Sequence, residues 1–231
     1  MVDSARELWI VRLGRMPYVD ALEVQRAAAR ARISGALRQD VLFLVEHPPV
    51  VTLGRTAKSA NLVASQQSLA DRGVELHEVE RGGDVTFHGP GQLVGYPIVD
   101  LKRHKQDLHW YLRQVEEALI TAIAEFGIGG ERSTGYTGVW TGGRKIASIG
   151  VHARDWVTWH GFALNVTTQL SWFELIVPCG IAGVDMTSIA RETAREALPM
   201  ADVEDAAARA FGRVFALAPV ERALTSLPLG D

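Results

Sequence analysis

Cysteine is scarce in this sequence, and long apolar runs are missing from it. The single cysteine, Cys179, cannot form an intramolecular disulfide, which favours a reducing compartment. No apolar segment approaches the roughly 20 residues that cross a bilayer as a helix. The start of the chain lacks the basic head and apolar stretch of a secretory signal. We therefore expect a cytoplasmic protein that has no membrane partner.

Net charge is also low. The chain has 24 Lys and Arg residues against 27 Asp and Glu residues, a formal charge of -3. Such a balance gives no general attraction to polyphosphate, so we expect no nucleic-acid partner. Hydrophobic residues make up 47% of the 231 residues, enough for one sizeable core. We predict a single domain over residues 1–231, with residues 218–231 as a loose tail.

Apolar patterning outlines the secondary structure. The continuous apolar run at residues 41–45 predicts a buried strand, and two prolines separate it from another strand at residues 50–53. Helical spacing is clearest over residues 108–126. Other expected strands lie at residues 8–13, 75–80, 139–140, 145–151 and 162–166, and other helices at 17–37, 64–72 and 203–214. Because no regular βαβ alternation occurs, we predict an α/β fold with a mixed, largely antiparallel sheet flanked by helices.

Residues 81–92 combine four glycines with several polar side chains. Glycine allows backbone amides to approach a ligand closely, and Arg81, Thr86 and His88 could add directed hydrogen bonds. The segment lacks the Gly-Lys-Ser/Thr ending of a Walker loop and the spacing of a dinucleotide fingerprint. The alternative interpretation is a structural Ω loop.

Cys179 lies in a Pro-Cys-Gly turn at the end of an apolar run. Such a turn can present a thiol at the end of a strand. A free thiol is mostly un-ionised at neutral pH, however, so a nucleophilic role requires a nearby cation. The alternative is an inert, buried thiol.

Lys145 begins one of the predicted strands. In extended geometry it shares a face with Ala147, Ile149 and Val151, so it projects from an otherwise apolar surface. One interpretation is that the aliphatic part of the lysine side chain covers apolar surface while its ammonium group reaches water. The other is a lysine in a partly dry site, where it stabilises a thiolate and shuttles protons.

His152 and His160 are the remaining candidates for chemistry. Neither a cysteine pair nor a His-Glu pair accompanies them at the spacing that metal ligands need. We therefore predict core packing or substrate contact for these histidines, and no metal site.

Four blocks, at residues 81–92, 143–151, 160–166 and 176–181, closely resemble the lipoyl(octanoyl) transferase family in content and order. Flanking blocks at residues 53–55 and 186–189 extend the resemblance, which covers residues 8–217. It implies a fold similar to the catalytic modules of biotin protein ligases and lipoate ligases.

The resemblance also implies an activity. Members of the lipoyl(octanoyl) transferase family transfer an octanoyl or lipoyl group from acyl carrier protein to a specific lysine of lipoyl domains, without a cofactor. The implied acceptors are the lipoyl domains of 2-oxoacid dehydrogenase complexes and the glycine cleavage H protein.

The matched motifs imply roles for individual residues. Cys179 is implied as the acyl-thioester nucleophile, and Lys145 as the residue that favours its thiolate and transfers protons. Phe87 departs from the pattern, because tyrosine is frequent at that position. The implied substrate-binding residues are Arg81, Gly82, Gly83, Asp84, Val85, Thr86, Phe87, His88, Ser148, Ile149, Gly150, Gly161, Phe162 and Ala163.

Two alternative functions remain open. An ATP-dependent lipoate or biotin ligase of the same fold would need Mg²⁺ but no cysteine, and the turn at Cys179 counts against it. A catalytically silent module that binds lipoyl domains or acyl carriers is the other alternative. The presence of both Cys179 and Lys145 favours an enzyme.

Overall fold

A computed structural model describes residues 6–181, 183–195 and 197–230. Within these ranges the chain forms ten strands and five α-helices. The strands are β1 (Glu7–Arg15), β2 (Asp40–Glu46), β3 (Val50–Leu53), β4 (Glu75–Glu78), β5 (Val85–His88), β6 (Gln92–Ile98), β7 (Gly138–Thr141), β8 (Arg144–Arg154), β9 (Val157–Asn165) and β10 (Ala218–Glu221). The helices are α1 (Tyr18–Ser34), α2 (Gln66–Asp71), α3 (Leu108–Ala124), α4 (Ile189–Thr193) and α5 (Met200–Phe215).

Seven of the strands form one sheet in the order β10-β1-β2-β6-β9-β8-β7. The two pairs at the β10 end are parallel, and the four pairs from β2 to β7 are antiparallel. Helices cover this sheet, so the predicted mixed, largely antiparallel sheet flanked by helices is confirmed. No helix among the described residues is both long and apolar enough to span a membrane.

The other three strands form a small second sheet in the order β4-β3-β5. β2 and β3 are neighbours in sequence but lie in different sheets, so the prolines between them carry the chain from one sheet to the other. β3 pairs in parallel with β4 and antiparallel with β5. This small sheet places the glycine-rich segment over the large one.

Both faces of the large sheet are buried. In β2 the side chains alternate, with Leu42 and Leu44 packing on the side of α3 and α5, and Val41, Phe43 and Val45 on the side of α1. A strand that is covered on both faces needs an unbroken apolar sequence, and this explains the run seen at residues 41–45. The same packing orients β6, β8 and β9 relative to the small sheet.

The helix ends follow local chemistry. Asp107 precedes α3, and its carboxylate accepts hydrogen bonds from the backbone N–H groups of His109 (2.9 Å) and Trp110 (3.0 Å). α1 begins after Pro17 and ends at Gly35, whose φ of 83° suits a left-handed cap. The sequence predicts a longer α1, up to residue 37; glycine at the cap ends the helix earlier.

Residues 218–230 do not form the loose tail that the sequence predicts. β10 pairs in parallel with β1 and forms an edge of the large sheet, with Ala218 opposite Glu7. Proline is tolerated in an edge strand, so Pro219 does not prevent this pairing. Leu227 then packs into the core on the α1 side.

A buried ion cluster joins α1 to the sheet. The Arg32 guanidinium lies 3.0 Å from Asp40 and 3.5 Å from Asp100, and the His104 ring lies 2.7 Å from Asp40. Burial acts to raise the pKa of Asp40, but His104 and Arg32 outweigh it, so that pKa is lowered. A lowered folded-state pKa contributes stability above the unfolded-state pKa, and this contribution is lost as the pH falls.

Replacement of Arg32 by alanine leaves buried carboxylates without their cation. We expect Arg32→Ala to lower the free energy of unfolding by about 3 kcal/mol or more, measured by urea denaturation. Arg30→Ala, at an exposed position of the same helix, is the matched control and should change it by less than about 0.5 kcal/mol. Equal effects of both substitutions would show that the cluster contributes little.

Candidate active site

Lys145 and Cys179 meet although 34 residues separate them in sequence. The Lys145 Nζ atom lies 3.1 Å from the Cys179 Sγ atom. Lys145 is fully buried, and its Nζ atom also lies 4.8 Å from the centre of the Trp140 ring. A cation beside sulfur stabilises the thiolate, and the electron-rich ring face adds a weaker attraction for the cation. The structure therefore places a candidate nucleophile beside a candidate acid and base.

A bulge in β8 turns Lys145 toward the sulfur. Opposite β7, the pairing shifts between Val139, which faces Ala147, and Trp140, which faces Lys145. The extra residue between them breaks the simple alternation of the strand. Ser148 accordingly reaches the same sulfur, at 3.7 Å. Of the predicted face, Ile149 and Val151 line the cavity with Lys145, whereas Ala147 packs into the core on the side of α3 and α5.

Cys179 has a left-handed backbone conformation, with φ 55° and ψ 19°. Few residues other than glycine adopt it, and strain of this kind persists only where the surroundings impose it. Gly180 follows with φ 68°, and its N–H donates to the Val177 carbonyl at 2.9 Å. This tight turn presents the thiol, which is partly exposed.

Asn61 and Asp84 hold the turn from one side. The Val177 N–H donates to the Asn61 carbonyl (2.7 Å), and the Asn61 amide donates to the Asp84 carboxylate (2.6 Å). A Cβ atom on Gly180 would lie 2.6 Å from Asp84 Oδ2 and 3.0 Å from Asn61 Nδ2. The turn therefore packs directly on this pair, and Gly180 is required both for its backbone conformation and for its lack of a side chain.

The chain after the cysteine is bound to the strand that carries Lys145. The Lys145 N–H donates to the Asp185 carbonyl at 2.8 Å, and the Thr187 N–H donates to the Lys145 carbonyl at 2.9 Å. The Asn165 side chain donates to the Thr187 carbonyl at 2.9 Å. Fixed contacts on both sides of the turn thus hold sulfur and ammonium together.

A cavity of about 350 Å³ opens beside the sulfur. Four small residues line it along the paired strands β8 and β9, where Ser148 faces Ala163 and Gly150 faces Gly161. Gly82 crosses above them, since its N–H donates to the Val151 carbonyl at 2.8 Å. Small side chains on the sheet leave room for a narrow apolar chain under the glycine-rich segment.

Comparison with known proteins agrees with this geometry. A family model described as the lipoyl protein ligase A/B catalytic domain matches residues 17–212. The curated octanoyltransferase of Acidobacterium capsulatum is 53% identical over 220 residues, which cover 89% of each chain. The chain belongs to the lipoyl(octanoyl) transferase family. The predicted family and the predicted enzyme class, an acyltransferase, are confirmed.

Solved structures share the fold. The bi-partite lipoate protein ligase of Thermoplasma acidophilum, described with its E2 lipoyl domain, superimposes with a TM-score of 0.77 at 16% identity, covering 96% of this chain and 88% of that chain. The biotin protein ligase of Aquifex aeolicus gives 0.50 at 9% identity, covering 90% and 69%. Identities this low establish the fold alone, and the predicted fold similarity is confirmed.

The cavity brings together most of the residues that the family motifs imply. Val85 and Phe87 are the exceptions, because side chains alternate along β5 and these two point into an apolar core with Trp172 and Phe173. The residues that do line the cavity are Arg81, Gly82, Gly83, Asp84, Thr86, His88, Ser148, Ile149, Gly150, Gly161, Phe162 and Ala163, with Lys145 and Cys179.

The departure at Phe87 has a structural explanation. Its ring stacks on Trp172 with centroids 5.5 Å apart, and it is fully buried. The tip of its ring lies beside Gly89, where a Cβ atom would be 2.5 Å from Phe87 Cζ, and neither residue lines the cavity. The missing tyrosine hydroxyl therefore removes no contact with the cavity.

Sequence reasoning missed part of the cavity wall. Tyr18, at the start of α1, carries no local signal of a site, and residues 135–137 lie in a loop that only the fold brings to the entrance. His160 lines the cavity, as one of its two interpretations predicts, whereas His152 packs on Trp159. The other lining residues are Val94, Tyr96, Leu108, Leu112, Gly135, Tyr136, Thr137, Val151 and Ile181.

Arg81 is a buried cation at the junction of the two sheets. Its guanidinium donates to the Thr52 carbonyl at 2.7 Å and to the Thr52 hydroxyl at 3.0 Å. No carboxylate among the described residues lies within ion-pair distance of it. Burial lowers the pKa of Arg81. The residue thus ties β3 to the cavity and adds positive potential there.

His88 and His47 are neutral near pH 7. Burial lowers the pKa of His88 to about 3 and that of His47 to about 4. The His88 ring pairs with Gln92 Oε1 at 2.9 Å, and Gln92 donates to Asn165 at 3.0 Å. These contacts fix the wall of the cavity without adding charge. No group of three or more His, Cys, Asp or Glu side chains in the described ranges could hold a metal ion.

The contact between Gly180 and the Asn61–Asp84 pair can be tested by two matched substitutions. Gly180→Ala should displace the pair and move the sulfur away from Lys145, slowing alkylation of Cys179 by iodoacetamide about tenfold. Gly183→Ala is the control, because Gly183 has a similar φ of 72° but nothing within 4 Å of its Cβ position. Equal alkylation rates in both variants would show that the rate does not depend on contact between residue 180 and the Asn61–Asp84 pair.

Proposed function

We propose that this protein transfers an octanoyl or lipoyl group from acyl carrier protein to the specific lysine of a lipoyl domain, through a thioester on Cys179. The observation that carries the proposal is the 3.1 Å contact between Lys145 Nζ and Cys179 Sγ at a cavity with small residues along its strands. Family membership supports the reaction class, since the A. capsulatum relative is named an octanoyltransferase.

In the first transfer the Cys179 thiolate attacks the carbonyl carbon of the carrier thioester. A carbon–sulfur bond to Cys179 forms, and the bond to the carrier sulfur breaks. Lys145 takes the proton of the Cys179 thiol and gives a proton to the departing carrier thiolate. The acyl chain lies along Gly150 and Gly161, in the cavity beside the sulfur.

In the second transfer the uncharged amine of the target lysine attacks the enzyme thioester. A carbon–nitrogen bond forms, the carbon–sulfur bond breaks, and Cys179 leaves as a thiolate. The proton that the amine loses passes to Lys145 or to the sulfur. Exchange of a thioester for an amide is downhill, so neither step needs ATP.

Each step develops negative charge on the carbonyl oxygen. The backbone N–H groups of Gly180 and Gly82 already donate to the carbonyls of Val177 and Val151, so they are not free to stabilise this charge. The polar groups that lie beside the sulfur are the Lys145 ammonium and the Ser148 hydroxyl, at 3.1 and 3.7 Å. We assign charge stabilisation to these two groups.

The acceptors in this proposal are the lipoyl domains of 2-oxoacid dehydrogenase complexes and the glycine cleavage H protein. Support comes from a solved structural neighbour that is described with its E2 lipoyl domain. Residues 1–231 act as one catalytic domain, and the reaction takes place in the cytoplasm, where a single free cysteine stays reduced.

The proposal is tested by the choice of acyl donor. We expect an unmodified lipoyl domain to gain one octanoyl group from octanoyl-carrier protein in the absence of ATP, detected by intact mass spectrometry. Transfer only from free octanoate with ATP and Mg²⁺ would identify a ligase instead. Binding of the lipoyl domain without any transfer would identify a silent binding module.

Lys145 can be tested separately. Lys145→Met keeps most of the side-chain volume but removes the proton carrier, and we expect acylation of Cys179 in a single turnover to slow about 100-fold or more. Lys102→Met, at an exposed position, should leave the rate unchanged. An unaltered rate in Lys145→Met, with the fold intact by circular dichroism, would reject the assigned role.

A further inference from the structure

If Cys179 carries the acyl group, as the proposed function requires, the geometry of the strands fixes where the chain ends. Cys179 contacts Ser148, and the pairing of β8 with β9 places Val151 opposite His160. Three residues along a strand span about 10 Å, which is close to the length of an extended eight-carbon acyl chain. The terminal carbon of an octanoyl group on Cys179 therefore reaches the region of His160.

This end of the cavity is polar. Tyr18 and His160 both line the cavity, and Gln25 lies behind His160. The Tyr18 hydroxyl, the Gln25 Nε2 atom and the His160 Nε2 atom are buried and have no hydrogen-bond partner among the described residues. The three residues are at most 2% exposed. Protein interiors rarely leave so many polar atoms of one region unpaired.

Packing prevents these atoms from turning to other partners. The Tyr18 ring lies parallel to the His88 ring, at 9° and 5.9 Å between centroids. The Gln25 side chain is held by its Oε1 atom, which accepts the His160 N–H at 2.9 Å. Glu80 is the nearest carboxylate to His160 Nε2, but at 3.8 Å it is too far for a hydrogen bond.

The Tyr18 and His160 side chains are uncharged near pH 7, so they offer hydrogen bonds and not charge. Burial raises the pKa of Tyr18 to about 12, so its hydroxyl keeps its proton. Burial also lowers the pKa of His160, which is therefore neutral near pH 7. A phenol hydroxyl held in place is a donor suited to an uncharged oxygen and offers nothing to a methyl group.

We propose that the far end of the cavity is a polar subsite that accepts medium-chain acyl groups with a hydroxyl oxygen on the terminal carbon. An apolar chain end leaves the Tyr18 hydroxyl without a partner, which is unfavourable in a buried site. An oxygen at this position accepts from the Tyr18 hydroxyl. The substrate class extends from octanoyl to 8-hydroxyoctanoyl thioesters.

The test compares octanoyl-carrier protein with 8-hydroxyoctanoyl-carrier protein as donors to an unmodified lipoyl domain. We expect kcat/KM for the hydroxylated donor to equal or exceed that for octanoyl. In Tyr18→Phe the ratio of the two values should fall about tenfold. In Tyr111→Phe, where the hydroxyl lost is buried beside Pro97 and Thr158 and does not line the cavity, the ratio should stay within about twofold.

The outcomes separate this inference from the proposed function. If octanoyl is transferred while the hydroxylated donor is at least tenfold worse, the polar subsite is rejected and the proposed function stands. If both donors work but Tyr18→Phe does not change their ratio, the subsite is not formed by Tyr18 and the inference fails. If neither donor works, the proposed function fails and the inference fails with it.

Discussion

Full burial of the Lys145 side chain is the constraint on which the rest of the site depends. A lysine with no exposed surface needs partners within reach, because its charged form loses hydration on burial. The partners here are the Cys179 sulfur at 3.1 Å and the Trp140 ring at 4.8 Å. In a strand with regular alternation, Lys145 and Ser148 would lie on opposite faces of the sheet. The bulge in β8 allows both side chains to approach the sulfur.

The two sheets meet where the chemistry is proposed. Arg81 donates a hydrogen bond to Thr52 of the small sheet, and Gly82 donates one to Val151 of the large sheet. The cavity lies under this link, and the turn at Cys179 closes one end of it. Asp84, from the same segment, holds that turn through Asn61. One short segment therefore forms the wall of the cavity, joins the sheets and positions the sulfur.

Local patterns in the sequence predict much of the fold. The apolar run of β2 and the helical spacing of α3 predict both elements, because each buries side chains with the period of its own backbone. The family motifs imply Cys179 and Lys145, and the structure brings them into contact. Alternation along β5 could have separated Thr86 and His88, which line the cavity, from Val85 and Phe87, which do not.

Other features depend on contacts between distant parts of the chain. The bulge in β8 arises from pairing with β7 and has no signature in the strand itself. Tyr18 lines the cavity only because α1 packs on the large sheet, and β10 forms only when β1 is present beside it. In the sequence, Pro219 indicates an interruption of regular secondary structure, but proline is compatible with an edge strand. Such features follow from tertiary structure, which local propensity does not encode.

The most direct test of the central claim is to find the acyl group on Cys179 during the reaction. Wild-type protein is mixed with octanoyl-carrier protein, quenched within a turnover and digested, and the octanoyl group is located by peptide mass spectrometry. The account predicts an adduct on Cys179 that disappears, at the rate of overall turnover, as an added lipoyl domain gains the group. Continued transfer by Cys179→Ala, or an adduct that the lipoyl domain does not remove, would contradict it.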